Sequence, residues 1–151
     1  MIQRFETFTV LIAKISRTIR KIKNHEMAEH GLRSAHVSCL YYLYTFDSLT
    51  VTELVEKCEE DKATVSRALV FLKSNGYLFQ ESCTHKRYKT PLILTDKGRT
   101  VGKQIAEKIN FVLNEINVEL SESQRIEFYS ALTNISTRLE AVSLRLDEDN
   151  E

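Results

Sequence analysis

Ser66, Arg67 and Val70, with Ala63 and Ser74, fall on one side of a helix when residues 61–76, DKATVSRALVFLKSNG, are wound at about 100° per residue. The chemistry of that side is base reading. A guanidinium can fork onto a guanine edge, a serine hydroxyl can donate or accept, and Ala and Val methyls can meet a thymine methyl. The other side carries Val65, Ala68, Leu69 and Leu72 at i, i+3, i+4 and i+7, an apolar stripe that needs a core to face. Asp61 can cap the start through its carboxylate, and Gly76 can end the helix in a left-handed conformation. An amphipathic helix with a solvated outer face has the same pattern, so its neighbours decide the reading.

The neighbours on either side supply a frame. Leu49-Thr50-Val51-Thr52-Glu53-Leu54 is a helix start, with Thr50 and Glu53 as a capping box and Leu49 stapled onto Leu54. The short helix that follows buries Val51, Leu54, Val55 and Cys58, which makes Cys58 a core thiol. Glu59-Glu60 forms the turn, and the result is a helix–turn–helix with the reading helix second. Residues 77–82 and 89–94 are expected as two short strands around Cys83-Thr84-His85-Lys86-Arg87. They make a hairpin with a basic tip, with Pro91 at an edge. Thr95 then caps another helix. From 61 to 89, Lys62, Arg67, Lys73, Lys86, Arg87 and Lys89 outnumber Asp61 and Glu81, the charge placement that phosphate binding needs. The expected fold class is mainly α: a winged helix–turn–helix with a two-stranded wing, plus N- and C-terminal helices forming a dimerisation lobe.

Those terminal helices are read from long seams. Phe5, Phe8, Ile12, Ile15, Ile19 and Ile22 alternate by three and four within an expected helix over 5–29, ended by Gly31. Its other face holds Lys14, Arg17, Arg20, Lys21 and Lys23 without an acid. That face is either solvated or a rim for DNA phosphate, an anionic ligand or the acidic tail. Ser34 can cap a helix over 36–46, whose two apolar stripes (Val37, Leu40, Tyr41, Tyr44 and Cys39, Tyr42, Leu43, Phe46) place it at the centre of the subunit. Val101, Ile105, Ile109, Val112 and Ile116 form a further stripe. Ser121 and Gln124 cap a last helix with Phe128, Leu132, Ile135, Leu139, Val142 and Leu146. These stripes exceed what a winged helix needs, which points to a homodimer with Phe5, Phe8, Ile12, Leu132, Leu139 and Val142 at its interface. The expected division is 1–30 for an N-terminal dimerisation helix, 31–98 for the winged helix and 99–151 for C-terminal dimerisation helices.

Composition sets the bounds. The 151 residues carry 21 basic and 21 acidic side chains, so a nucleic-acid surface must come from charge placement rather than bulk charge. One Pro and four Gly leave little room for long linkers. Three widely spaced cysteines, 39, 58 and 83, with no CxxC, argue against a disulfide framework or zinc ribbon. Without a signal-peptide pattern or a bilayer-length apolar run, a cytoplasmic location with no membrane partner is expected.

In this order and at these distances, four segments resemble the multiple-antibiotic-resistance regulator (MarR) family of bacterial winged-helix transcription factors. They are Leu49-Thr50-Val51-Thr52-Glu53-Leu54, Asp61-Lys62-Ala63-Thr64-Val65-Ser66-Arg67, Leu72-Lys73-Ser74-Asn75-Gly76-Tyr77-Leu78 and Leu94-Thr95-Asp96-Lys97-Gly98. The resemblance implies a homodimer on palindromic double-stranded operator DNA, acting mostly as a repressor, and a small-molecule or redox signal that weakens binding. It places DNA contacts on Lys62, Ala63, Thr64, Ser66, Arg67 and Val70; Ser34 and the basic hairpin residues His85, Lys86, Arg87 and Lys89 are expected alongside them. Arg87 stands as the minor-groove arginine. The wing departs from the family pattern: its tip, His85-Lys86-Arg87-Tyr88, lacks the Asp that precedes the basic residues there.

Other chemistries find less support. His25, His30 and His36 lie near Glu26, Glu29 and Cys39, but no pair has i, i+3 or i+4 spacing on a clear face, so no metal or other cofactor is expected. The first helix has no Cys, and redox sensing would fall to Cys39 or Cys83. No nucleophile elbow, phosphate loop or paired-carboxylate motif appears, and an enzyme is not expected. An effector cleft could be lined by Cys39, Tyr42 and Phe46 with Arg17 and Lys21 at its edge; equally, those side chains could complete the core. The competing functional class is a winged helix used for protein interaction without DNA.

Overall fold

The computed structural model describes residues 2–58, 60–80, 90–117 and 119–148, with side chains from residue 7 onward and not at 117. The order is α1 (Ile2–Glu26), a 3-10 turn (Ala28–His30), α2 (Ser34–Phe46), α3 (Val51–Lys57), α4 (Lys62–Ser74), β1 (Leu78–Gln80), β2 (Leu92–Leu94), α5 (Asp96–Asn117) and α6 (Glu122–Glu148). The fold is mainly α with a two-stranded antiparallel sheet, as the sequence patterns imply. Two compact units are present, Met1–Ile109 and Asn110–Glu151. This boundary groups α1 with the winged helix rather than apart from it.

In the first unit α2 occupies the centre. It packs on α1, α3, α4 and β2, and Val37, Cys39, Leu40 and Leu43 are buried. Two apolar stripes on one helix require this placement. Each buried aliphatic side chain contributes roughly 1.5–3 kcal/mol. The start of α2 differs from expectation. Ser34 is its first helical residue, not its cap; Arg33 is the N-cap. The Arg33 N–H donates to His36 Nδ1 at 3.0 Å. The Ser34 N–H donates to Asn24 Oδ1 at 2.7 Å, so a side chain from α1 satisfies it and Ser34 sinks into the core.

The end of α1 also moves. The helix stops at Glu26 rather than running to 29, and Gly31 closes the 3-10 turn at φ 66°. Lys108 explains the stop. Its Nζ donates to the Glu26 carbonyl at 2.9 Å and lies 3.0 Å from the Glu26 carboxylate. An ammonium at a helix C-terminus satisfies an orphan carbonyl and opposes the dipole's negative end. The hydrogen bond from Lys108 to the Glu26 carboxylate, followed by the charge of Lys108, holds that carboxyl below its ordinary range.

The sheet pairs Leu78 with Leu94, Phe79 with Ile93 and Gln80 with Leu92. Leu49 makes a further bridge to Leu92 just ahead of α3. Pro91, which has no N–H to give, sits immediately before β2, and the Leu92 N–H goes to the Leu49 carbonyl at 2.9 Å. Residues 81–89, where the expected strands continue, lie outside the described residues. Gly98 is required at the start of α5, since a Cβ there would overlap the Tyr77 carbonyl oxygen.

In the second unit, α6 opens with the expected box. The Ser121 N–H donates to Gln124 Oε1 at 2.9 Å and the Gln124 N–H to Ser121 Oγ at 3.3 Å. No residue of α6 is buried, and Phe128, Ile135, Leu139, Val142 and Leu146 are exposed on it. Among the described residues no helix is long and apolar enough to cross a membrane.

Candidate nucleic-acid interface

α3 begins as its sequence requires. The Thr50 N–H and hydroxyl both donate to Glu53 Oε2 at 2.8 Å, and the Glu53 N–H returns to Thr50 Oγ1 at 3.3 Å. Leu54 is fully buried and Leu49 nearly so, which anchors the entry to the helix. Cys58 is half-buried against the core rather than sunk in it, because it is the C-cap of α3 and no longer on the helix's inward face.

α4 is fixed at both ends. Asp61 caps it, with the Thr64 N–H donating to Oδ1 at 2.8 Å and the Thr64 hydroxyl to Oδ2 at 2.9 Å. The backbone bond first, then the hydroxyl, holds the Asp61 carboxyl below its ordinary range. At the other end Gly76 is left-handed at φ 71°. The Tyr77 N–H reaches the Leu72 carbonyl at 2.9 Å and the Gly76 N–H reaches Lys73 at 3.1 Å, a Schellman termination. The Thr95 hydroxyl donates to the Gly76 carbonyl at 2.7 Å and accepts from the Gly98 N–H at 3.1 Å, so one side chain caps α5 and ties it to the end of α4.

Between these ends the helix is two-faced. Val65, Ala68, Leu69 and Leu72 are buried. Lys62, Ala63, Ser66, Arg67 and Val70 are exposed and Thr64 is half-exposed. Val70 is 64% exposed, an aliphatic group held in solvent in the middle of a well-anchored helix. Arg67 is oriented within this face: its Nη2 donates to Thr64 Oγ1 at 2.9 Å. Lys73, one turn beyond Val70, donates to Gln80 Oε1 at 2.9 Å, and Gln80 Nε2 donates to the Thr90 carbonyl at 2.8 Å. Gln80 therefore joins the end of α4 to both sides of the hairpin base. Its role is invisible in a strand pattern; the only cue is an amide standing among apolar strand residues beside a basic helix end.

Ser34 does not join this exposed face, because its side chain is buried at the start of α2. His85, Lys86, Arg87 and Lys89 lie outside the described residues, as does Cys83.

No protein-family model matches the chain. Over 124 residues it is 27% identical to YwoH of Bacillus subtilis, an HTH-type transcriptional regulator, covering 82% of this chain and 87% of that one. Among solved structures it is similar to a MarR family regulator from Neisseria meningitidis, at a TM-score of 0.79 with 19% identity, covering 92% and 95% of the two chains. A MarR family regulator from Listeria monocytogenes, solved with a 26mer DNA, gives the same TM-score at 20% identity, covering 91% of each chain. The chain has the fold of the MarR family. These relatives are regulators, not enzymes, and the MarR fold accounts for the winged helix and for both flanking helical regions.

Within this MarR fold the residues considered for a signal are scattered. Cys39 is in the core at 0% exposure, so it completes packing instead of lining an open cleft. Tyr42 is half-buried and Phe46 exposed; their rings stack at 6.3 Å, and Lys57 Nζ lies 4.1 Å from the Phe46 centroid. Arg17 and Lys21 are exposed on α1. The histidines have separate partners. His25 lies 3.7 Å from Glu26 and His30 3.5 Å from Glu29, while His36 stacks on Phe71. Among the described residues no group of three or more His, Cys, Asp or Glu could hold a metal.

Proposed function

We propose that the chain is a DNA-binding transcriptional regulator that binds a palindromic operator as a homodimer and represses transcription from it. The observation that carries this reading is the outer face of α4. A helix capped at both ends and anchored by four buried residues presents Lys62, Ala63, Ser66, Arg67 and Val70 outward. Arg67 and Ser66 can read base edges, Val70 and Ala63 can meet thymine methyls, and Lys62 can meet phosphate. The complex of the Listeria regulator with DNA and the DNA complex of Staphylococcus aureus MepR support the assignment. The wing residues His85, Lys86, Arg87 and Lys89 extend the surface by their charge and their place in the sequence.

The homodimer is supported by apolar side chains exposed on each terminal helix separately: Phe8 and Ile12 on α1, Leu139 and Val142 on α6. Leu132 is half-buried on α6, and the Phe5 side chain lies outside the described residues. Two copies related by a two-fold axis would each offer one reading helix to one half-site. A small-molecule effector would modulate binding, and the protein would act in the cytoplasm.

The test is a titration of the wild type against a duplex selected from a randomised library and against its scrambled version, at several salt concentrations. A DNA-binding regulator prefers the selected duplex, and the logarithm of its affinity falls linearly with log salt. Failure to bind either duplex, with retained self-association, would favour a protein-interaction module instead.

A further inference from the structure

We infer that Thr64 is a positioning residue for Arg67: its hydroxyl links the Asp61 cap to the guanidinium and aims it at one base edge, without touching DNA itself. The inference rests on the reading of α4 as the helix that enters the DNA groove.

A threonine hydroxyl has one proton to donate and two lone pairs. Here the proton goes to Asp61 Oδ2 at 2.9 Å, and a lone pair accepts from Arg67 Nη2 at 2.9 Å. With its proton committed, the hydroxyl has nothing to donate to a phosphate oxygen, which only accepts. The order of the chain gives it direction. Asp61 is fixed by the Thr64 backbone N–H at 2.8 Å, a bond that belongs to the helix cap and does not depend on any side chain beyond the carboxylate. The fixed carboxylate orients the hydroxyl, and the oriented hydroxyl holds one of the five N–H groups of Arg67. Residues 61, 64 and 67 are three apart, so each link spans one helical turn. The Thr64 N–H and then the Thr64 hydroxyl hold the Asp61 carboxyl below its ordinary range, which favours the carboxylate as the acceptor of the first link.

Arg67 is exposed, and a long exposed side chain without such a link samples many rotamers. Holding it before DNA arrives removes part of the ordering cost of binding and restricts which base position it can reach. The effect belongs to sequence discrimination, not to general affinity, because the held group is the one that reads bases.

The test uses Thr64→Val, which keeps the branched side chain and the backbone N–H to Asp61 and removes only the hydroxyl. Thr64→Ser is the rescue. The probes are the library-selected duplex and its scrambled version. Thr64→Val should lower the ratio of affinities for the two duplexes by about threefold to tenfold, the size of one hydrogen bond. It should leave the salt slope unchanged, since no phosphate contact is lost. Thr64→Ser should restore the ratio, and in an Arg67→Ala background Thr64→Val should have no further effect. An unchanged ratio in Thr64→Val, or losses that add to those of Arg67→Ala, would overturn the inference. Asp61→Asn, which keeps a good cap residue, is the second variant and should lower the ratio in the same Arg67-dependent way. A readout without DNA separates the two readings. NMR of the Arg67 guanidinium should show restricted rotation in the wild type and release in Thr64→Val. Equal mobility in both would overturn the link even if DNA binding stands, whereas restricted rotation in a protein that binds no duplex would refute the DNA reading alone.

Discussion

The imidazole of His36 lies flat on the ring of Phe71, with centroids 4.3 Å apart and planes 10° from parallel. The stack joins the first turn of α2 to α4, while His36 Nδ1 accepts the Arg33 N–H. Accepting that N–H requires His36 Nδ1 to carry no proton. Burial, and then the charge of Arg33, lower the affinity of His36 for a proton below that of an ordinary imidazole. The unfolded chain therefore takes up the proton first as pH falls, and stability declines from about the ordinary value of 6.5 down to the lowered folded value. His36→Phe keeps a flat ring on Phe71 and removes the titration. Urea midpoints measured across this range should fall with pH in the wild type and fall less in the variant; equal slopes would contradict the assignment.

Two glycines at the start of α5 should respond unequally to alanine. At Gly98 a Cβ would collide with the Tyr77 backbone carbonyl, which also accepts from the Thr95 N–H. At Gly102 it would stand 2.8 Å from the Cβ of Tyr44, a close contact but a milder overlap than the one at Gly98. Overpacking costs about 1–3 kcal/mol, and Ala regains up to about 1 kcal/mol over Gly inside a helix. Thermal unfolding should show a clear loss for Gly98→Ala and a smaller one for Gly102→Ala. The reverse order would mean that the Tyr77 carbonyl yields more easily than its hydrogen bond implies.

Leu139 is 56% exposed on α6. In a single chain Leu139→Asp should change stability by no more than about 0.5 kcal/mol. If a second copy covers the residue, the same change buries a charge at the interface and costs several kcal/mol of association. Sedimentation should find a dimeric wild type and a monomeric variant with unchanged helical content. A monomeric wild type at micromolar concentration would remove the homodimer from the proposed function.

Arg67 and Arg87 should fail differently. Arg67→Ala should cost about 1–3 kcal/mol on the selected duplex and blunt its preference over scrambled DNA. Arg87 should meet the backbone or the minor groove, whose base code is degenerate, so Arg87→Ala should weaken both duplexes alike and make the salt slope shallower by about one unit. Lys86→Ala and Lys89→Ala should follow Arg87 more weakly. Identical losses for Arg67→Ala and Arg87→Ala on both duplexes would undo the division between reading and anchoring.

Much of α4 can be read from residues 61–76 alone, and the reason is range. The Asp61 cap, the Thr50–Glu53 box and the Ser121–Gln124 box each close within one helical turn, so spacing in the sequence nearly determines geometry in space. The stripe of Val65, Ala68, Leu69 and Leu72 is likewise a consequence of helical period. The order of motifs then implies the winged helix. The same local logic misassigned the start of α2, where Ser34 has the right chemistry for a cap and Arg33 occupies the position.

What the sequence determined by itself, then, was the set of elements and the face each must bury: the stripe of α4, the double stripe of α2 and the box that opens α3. The tertiary structure decided which neighbour each polar group meets. Asn24, ten residues away, takes the Ser34 N–H, and Lys108, 82 residues away, ends α1 at Glu26. Gln80 bridges Lys73 and Thr90, and the Tyr77 carbonyl forbids a side chain at Gly98. Helical period and capping act over three or four residues and are written in residue spacing. A hydrogen bond between distant segments depends on the path of the whole chain, and buried polar groups accept whichever partner that path brings within reach.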